Sequence, residues 1–186
     1  MTISSISDGE LGSSVRTKLN ALVTHANNNT GWASYADTAY TSGSPFVVSV
    51  GTTVSLPNNA ATTIVSQLPT GSTGLYDGTR ITPDASGDSY DVRMSFQGFS
   101  SVNEGAFALS LDISAAGDGS ITIASAPVRM VRGSGAGNVQ LYTVAIPVFT
   151  LGTFLTNGGL IRIEAVDGNI TVYDISYVLI KNHAAR

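Results

Sequence analysis

The side chains able to do acid–base, nucleophilic or metal chemistry are few in this chain. It has two histidines, His25 and His183, and no cysteine. The lack of thiols excludes a cysteine nucleophile, a disulfide framework and a cysteine zinc site. A Ser–His–acid triad needs an imidazole fixed in a pocket. His25 instead falls at the tail of a helical stretch, and His183 in the closing run Lys181-Asn182-His183-Ala184-Ala185-Arg186. No Gly-x-Ser-x-Gly elbow occurs. Gly133-Ser134-Gly135-Ala136-Gly137 is glycine-rich, but a phosphate loop also needs a lysine and a following helix, so this run reads as a hairpin loop. The sequence therefore predicts no catalytic residue, no metal and no cofactor.

The carboxylates give two further candidates. Asp84, Asp88 and Asp91 lie close together beside Gly87, and hard oxygen ligands on a loop suit calcium. Their spacing matches no EF-hand, so they read as a solvated loop. Glu104, Asp112 and Glu164 make a glycosidase pair only if the fold brings two of them to the right separation. Asn28-Asn29-Thr30 and Asn169-Ile170-Thr171 fit the glycosylation pattern, which carries weight only in a secreted chain. Trp32, Tyr35 and Tyr40 cluster within ten residues. Exposed, such rings stack on sugars or anchor interfaces; packed, they plug one end of a β-sandwich.

The elements that position these residues are of two kinds. Ser7-Asp8-Gly9-Glu10 has the form of a capping box. Leu11, Val15, Leu19, Leu22 and Ala26 then recur at intervals of four and three, which predicts a helix with one narrow apolar stripe. Asn27-Asn28-Asn29-Thr30-Gly31 ends it. A lone helix of this length is marginal in water. Its stripe must meet the main domain, another copy of itself or a different protein. Residues 1–30 thus read as a helical attachment segment and 31–186 as a head domain.

Beyond Gly31 the period is two. Strands are predicted at Pro45–Val50, Thr52–Leu56, Thr62–Gln67, Tyr90–Phe99, Ala106–Ile113, Ser120–Ala124, Val128–Val131, Val139–Phe149, Leu160–Val166 and Ile170–Ile180. Asp167-Gly168 marks a tight hairpin. Many short strands at regular spacing predict a sandwich or barrel. The closing strand is apolar on both faces, as is Tyr142–Phe149, where Pro147 implies an edge or bulge. A strand apolar on both faces is covered on both, by a central position in the fold or by another subunit.

Composition sets the outer limits. The chain has 186 residues, 42% hydrophobic and only 12% charged, with a net charge of -4. That length suits one domain with a short appendage. Without a cationic stripe, nucleic acid is not an expected partner. No apolar run reaches the roughly 18 residues needed to cross a bilayer, so neither is a membrane. The opening residues lack the basic and apolar regions of a signal peptide, which predicts synthesis in a cytoplasm.

The run Gly9-Glu10-Leu11-Gly12-Ser13-Ser14-Val15-Arg16-Thr17-Lys18-Leu19-Asn20-Ala21-Leu22 resembles the short N-terminal segment of many tailed-bacteriophage fibre and virion-decoration proteins. The remainder is similar to the head domains that follow such segments, which are trimeric jelly rolls of the complement and tumour-necrosis-factor type. The similarity lies in Tyr40-Thr41-Ser42-Gly43-Ser44-Pro45-Phe46, Asn157-Gly158-Gly159-Leu160-Ile161-Arg162-Ile163 and Ile170-Thr171-Val172-Tyr173-Asp174-Ile175-Ser176-Tyr177. There is no Gly-x-y stalk, and no catalytic residues come with the resemblance. It implies an all-β jelly-roll β-sandwich preceded by a short N-terminal α-helix. It also implies a homotrimer and a structural role in the virion of a phage made in its host's cytoplasm. The absence of a long shaft favours capsid decoration, with the capsid and other virion proteins as partners. The alternatives are a tail-fibre tip or a carbohydrate-binding module that recognises host surface glycans, with a capsule depolymerase third. The attachment residues are then Leu11, Val15, Leu19 and Leu22. On the closing strand, the odd-numbered Tyr173, Ile175, Tyr177 and Leu179 are assigned to the three-fold axis, because tyrosines are enriched at interfaces. The even-numbered Val172, Val178 and Ile180 are assigned to the sandwich interior.

Overall fold

A computed structural model describes residues 12–27, 30–69, 71–72, 74–131 and 133–183. The proposed capping box and Leu11 lie outside the described residues. Helix α1 spans Gly12–Asn27. Its stripe is open to solvent: Leu19 is 49% and Leu22 42% exposed, and Val15 is half-buried.

The head is a β-sandwich. One sheet runs β4 (Thr62–Ile64), β1 (Gly31–Ala36), β10 (Ile170–His183), β5 (Ser89–Ser100), β8 (Gln140–Phe149), with β2 (Phe46–Val48) pairing on the first residues of β10. The other runs β3 (Thr53–Ser55), β9 (Leu160–Asp167), β6 (Ala106–Asp112), β7 (Thr122–Arg129). Every pair of named strands is antiparallel. The chain crosses from one sheet to the other between β2 and β3, β3 and β4, β5 and β6, β7 and β8, β8 and β9, and β9 and β10, as in a jelly roll. Short helix α2 (Gly152–Asn157) fills the β8–β9 connection.

Alternation builds the core. Tyr90, Val92, Met94 and Phe96 of β5 point inward against Phe107, Leu109 and Leu111 of β6 and Ile161, Ile163 and Ala165 of β9. Phe96 and Phe107 meet across the layers with ring centroids 5.2 Å apart, and the Tyr142 ring lies 5.4 Å from Phe107. Each such buried side chain contributes about 1.5–3 kcal/mol. The Leu160 end is packed closely: a Cβ on Gly159 would come within 2.7 Å of Leu111 and 2.8 Å of Phe154, so this position of the Asn157–Ile163 run needs glycine.

The observed elements depart from the predicted set in three places. Ser120–Ala124 and Val128–Val131 are parts of one strand, β7, because Pro127 is accommodated on a sheet edge where its missing N–H costs nothing. Trp32 and Tyr35 of the aromatic cluster lie in a strand, β1, and Tyr40 lies beyond it. The outward residues Trp32, Ser34 and Ala36 of β1 include two small side chains, so the alternation is faint. Helix α2 was not predicted, since six residues are too few to show a helical period.

The largest departure is in β10. Up to Val172 the even residues point inward, and Ile170 and Val172 are fully buried. The pairing with β5 then shifts between Tyr173 and Ser176, where Asp174 takes a φ of 52°. This bulge reverses the parity. Beyond it, odd-numbered Ile175, Tyr177 and Leu179 enter the core, while Val178 and Ile180 face outward, half-buried. The assignment of the odd set to a three-fold axis is therefore corrected. Ile175, Tyr177 and Leu179 are interior residues of a single chain, and Tyr173, at the bulge, is buried as well.

Candidate assembly surface

The outer face of the larger sheet has no covering layer among the described residues. The pairing of β1, β10, β5 and β8 sets its rows. Trp32, Ile180, Asp91 and Pro147 form one; Ser34, Val178, Arg93 and Ala145 the next; Ala36, Ser176, Ser95 and Thr143 a third. Ile64 of β4 extends the second row. These side chains are small or apolar, apart from Asp91 and Arg93, which neutralise each other through a 2.9 Å ion pair. The Ser95 and Thr143 hydroxyls share a hydrogen bond of 2.9 Å. The face is thus low in free charge, with Trp32 38% exposed at one corner.

The β8 margin of this face is apolar too. On edge strand β8, Pro147 stands in the outward row, where it removes no sheet hydrogen bond. Leu141 and Phe149 are each 70% exposed. A groove of about 310 Å³ runs between Ile123, Pro147, Phe149, Leu151 and Phe154. Exposed apolar area of this kind, contiguous across an edge and a face, marks an interaction surface.

The structure separates the three aromatic candidates. Tyr35 is buried, and its hydroxyl accepts the Leu75 amide at 2.9 Å. Trp32 lies on the outer sheet face. Tyr40 lines a cleft of about 340 Å³ with Tyr76, Asp37, Asn58 and Asn59. The Asp37 carboxylate there accepts the amides of Tyr40 and Asn59 at 2.7 and 2.9 Å.

The carboxylate candidates part in the same way. Asp91 belongs to the outer face, whereas Asp84 and Asp88 converge on Lys181, each with an Oδ2 2.8 Å from Nζ. The loop is solvent-exposed over residues 84–87, while Asp88 at its end and Lys181 are buried. Burial pushes the Lys181 amine down, but the two carboxylates outweigh it and hold its pKa above the ordinary range. The signal for this cluster was a lysine at an inward position of an apolar strand. Asp112 is fully buried on β6 and pairs with Arg162 at 3.2 Å. Burial pushes its pKa up, yet the hydrogen bonds from Ser114, Gly119 and Arg162 prevail and hold it below the usual carboxylate range. Glu164 lines a polar cleft with Arg162 and Asp118. Glu104 sits in the turn before β6, at the far end of that strand from Asp112. The described residues include no group of three or more His, Cys, Asp or Glu placed to hold a metal ion, and no helix among them is long and apolar enough to cross a membrane.

No protein-family model and no curated protein sequence matches the chain. Among solved structures it is similar to the PRD1 vertex protein P5, with 14% identity, 83% of this chain and 73% of that one covered, and a TM-score of 0.45. It is similar to the Eiger TNF of S. frugiperda, with 12% identity, 84% and 95% covered, and a TM-score of 0.47. It is also similar to the enzymatically active domain of tailspike protein 4 of bacteriophage CBA120, with 11% identity, 94% and 21% covered, and a TM-score of 0.31.

Proposed function

We propose that the protein is a structural component of a tailed-phage virion: a homotrimeric head that decorates the capsid and is held there by its N-terminal segment. The observation that carries this reading is an N-terminal helix with Leu19 and Leu22 exposed, followed by a closed sandwich with an uncovered, nearly uncharged sheet face. A helix with an open stripe gains stability by docking, and the segment around it is the part that resembles virion attachment segments. The self-contact uses the outer face of the larger sheet, its β1–β10 side with Trp32, Val178, Ile180 and Ile64 meeting its β8 side with Leu141 and Phe149. Two different parts of the face meet, so the contact is heterologous, and a three-fold rotation closes it into a ring.

Mixing the purified full-length chain with undecorated capsids tests this. Co-sedimentation of the full chain, and none for a variant lacking residues 1–30, is the expected outcome. Binding by the truncated head would sink the attachment role.

One observation favours a second reading, a host-recognition module. Tyr40 and Tyr76 with Asp37 and Asn59 give the cleft the mixture of ring faces and planar polar groups that suits a sugar. Cell binding by the purified head, lost in Tyr40→Ala, would move the assignment from decoration to recognition.

A further inference from the structure

The cluster around Lys181 is more than an ion pair. We propose that Lys181 and Asp84 become joined by an intramolecular isopeptide bond, made by the folded chain itself with Asp88 as the proton carrier.

The parts stand in the order such a condensation needs. Lys181 pairs with Tyr90 where β10 meets β5, so its amine is pinned by the two longest strands and is only 6% exposed. Its Nζ lies 2.8 Å from Asp84 Oδ2 and 2.8 Å from Asp88 Oδ2. The other oxygen of Asp84 accepts the Ser72 hydroxyl at 3.1 Å. Asp88 is fully buried, and its Oδ2 is fixed by the Tyr90 hydroxyl at 2.9 Å and the Ala85 amide at 3.1 Å. The same Tyr90 hydroxyl accepts the Asp84 amide at 3.0 Å, which ties electrophile and base to one anchor.

The resting state holds an ammonium and two carboxylates. Transfer of one proton from Nζ to Asp84 turns it into an amine, a carboxylic acid and one carboxylate, with no exchange with solvent. The two carboxylates favour the charged amine, so this neutral pair is a minor state, reached without solvent across the 2.8 Å contact. The Nζ lone pair then attacks Asp84 Cγ, and the negative charge gathers on Oδ1, facing the Ser72 hydroxyl. Asp88 takes the surplus proton from nitrogen and returns it to the departing Oδ2 hydroxyl, which leaves as water. An N–Cγ bond forms, a Cγ–O bond breaks, one water is released and Asp88 ends as it began. No oxidant, nucleotide or metal enters. The geometry supplies the proximity that makes an otherwise slow condensation intramolecular.

The purified full-length chain, incubated folded at neutral pH, should have an intact mass one water below that of its sequence. Digestion should release a branched peptide joining the segments that contain Lys181 and Asp84. Lys181→Arg keeps a cation and should show the full mass; Asp88→Asn should fold but stay largely unjoined. A folded wild-type chain that keeps its full mass after prolonged incubation overturns the proposal, and the cluster is then an ion pair alone. A lighter mass that persists in Lys181→Arg also overturns it, since the water was then lost elsewhere, as at Asp77-Gly78.

Discussion

The Tyr177 hydroxyl donates to the Leu56 carbonyl at 2.6 Å from inside the core, with the Tyr76 ring edge-on at 5.5 Å. Tyr177→Phe keeps the packing and removes the donor, so it should cost about 1–3 kcal/mol in a urea titration. Tyr177→Asp places a charge in that interior and should yield no folded protein. Val178→Asp, one residue along but on the outer face, should stay folded by circular dichroism and lose self-association in light scattering. If Val178→Asp unfolds and Tyr177→Asp merely dissociates, the two faces of β10 are the other way round. Burial pushes the phenols of Tyr35, Tyr76, Tyr90 and Tyr177 above the ordinary 10.0. A raised folded pKa means the folded state holds its proton more tightly. The stability this brings is complete below the unfolded value and is lost as pH rises through the folded one. Lys181 shifts in the same direction. Asp112 shifts the opposite way, so its contribution is complete above the ordinary carboxylate range and drains away below it. The melting temperature should therefore be level through neutrality, falling in strong acid and again above about pH 10. A fall centred near neutrality would contradict these assignments.

Among the elements, α1 and β10 set the surfaces that the protein leaves open. Removing residues 1–30 should leave a soluble, β-rich head with a melting temperature close to that of the full chain, because Leu19 and Leu22 bury little against it. Aggregation of the truncated head would show that the helix belongs to the folding unit. Strands with strict alternation, such as β5 and β6, were legible because each position reports one face. Strand β10 was legible as a strand but not as a pair of faces. Its bulge depends on one backbone angle at Asp174, which no residue spacing announces. β1 was hidden because its outward residues include Ser34 and Ala36, which look like loop residues. The Lys181 cluster was hidden because Lys181 lies 97 positions from Asp84, and only the β10–β5 pairing brings it to the Asp84 and Asp88 segment.

For the whole molecule, the proposed trimer joins surfaces that carry one internally neutralised ion pair, Asp91–Arg93. Its assembly should respond weakly to ionic strength. Light scattering should give three chain masses at both low and high salt, and dissociation on adding salt would point to a charged interface instead. The bulge at Asp174 has a consequence at this scale. A chain read two residues at a time keeps inside and outside apart only while the count is right, and β10 inserts its extra beat at Asp174. Deleting Asp174 would put the remainder of the strand out of step: Ile175, Tyr177 and Leu179 would be sent to the exterior, and Ser176, Val178 and Ile180 drawn in. Asp174→Gly, which eases the positive φ, should melt within a few degrees of the parent, whereas the one-residue deletion should give no soluble protein. The boundary between the protein's interior and the surface it offers its neighbours is thus kept by the number of residues before position 175, more than by the identity of any one of them.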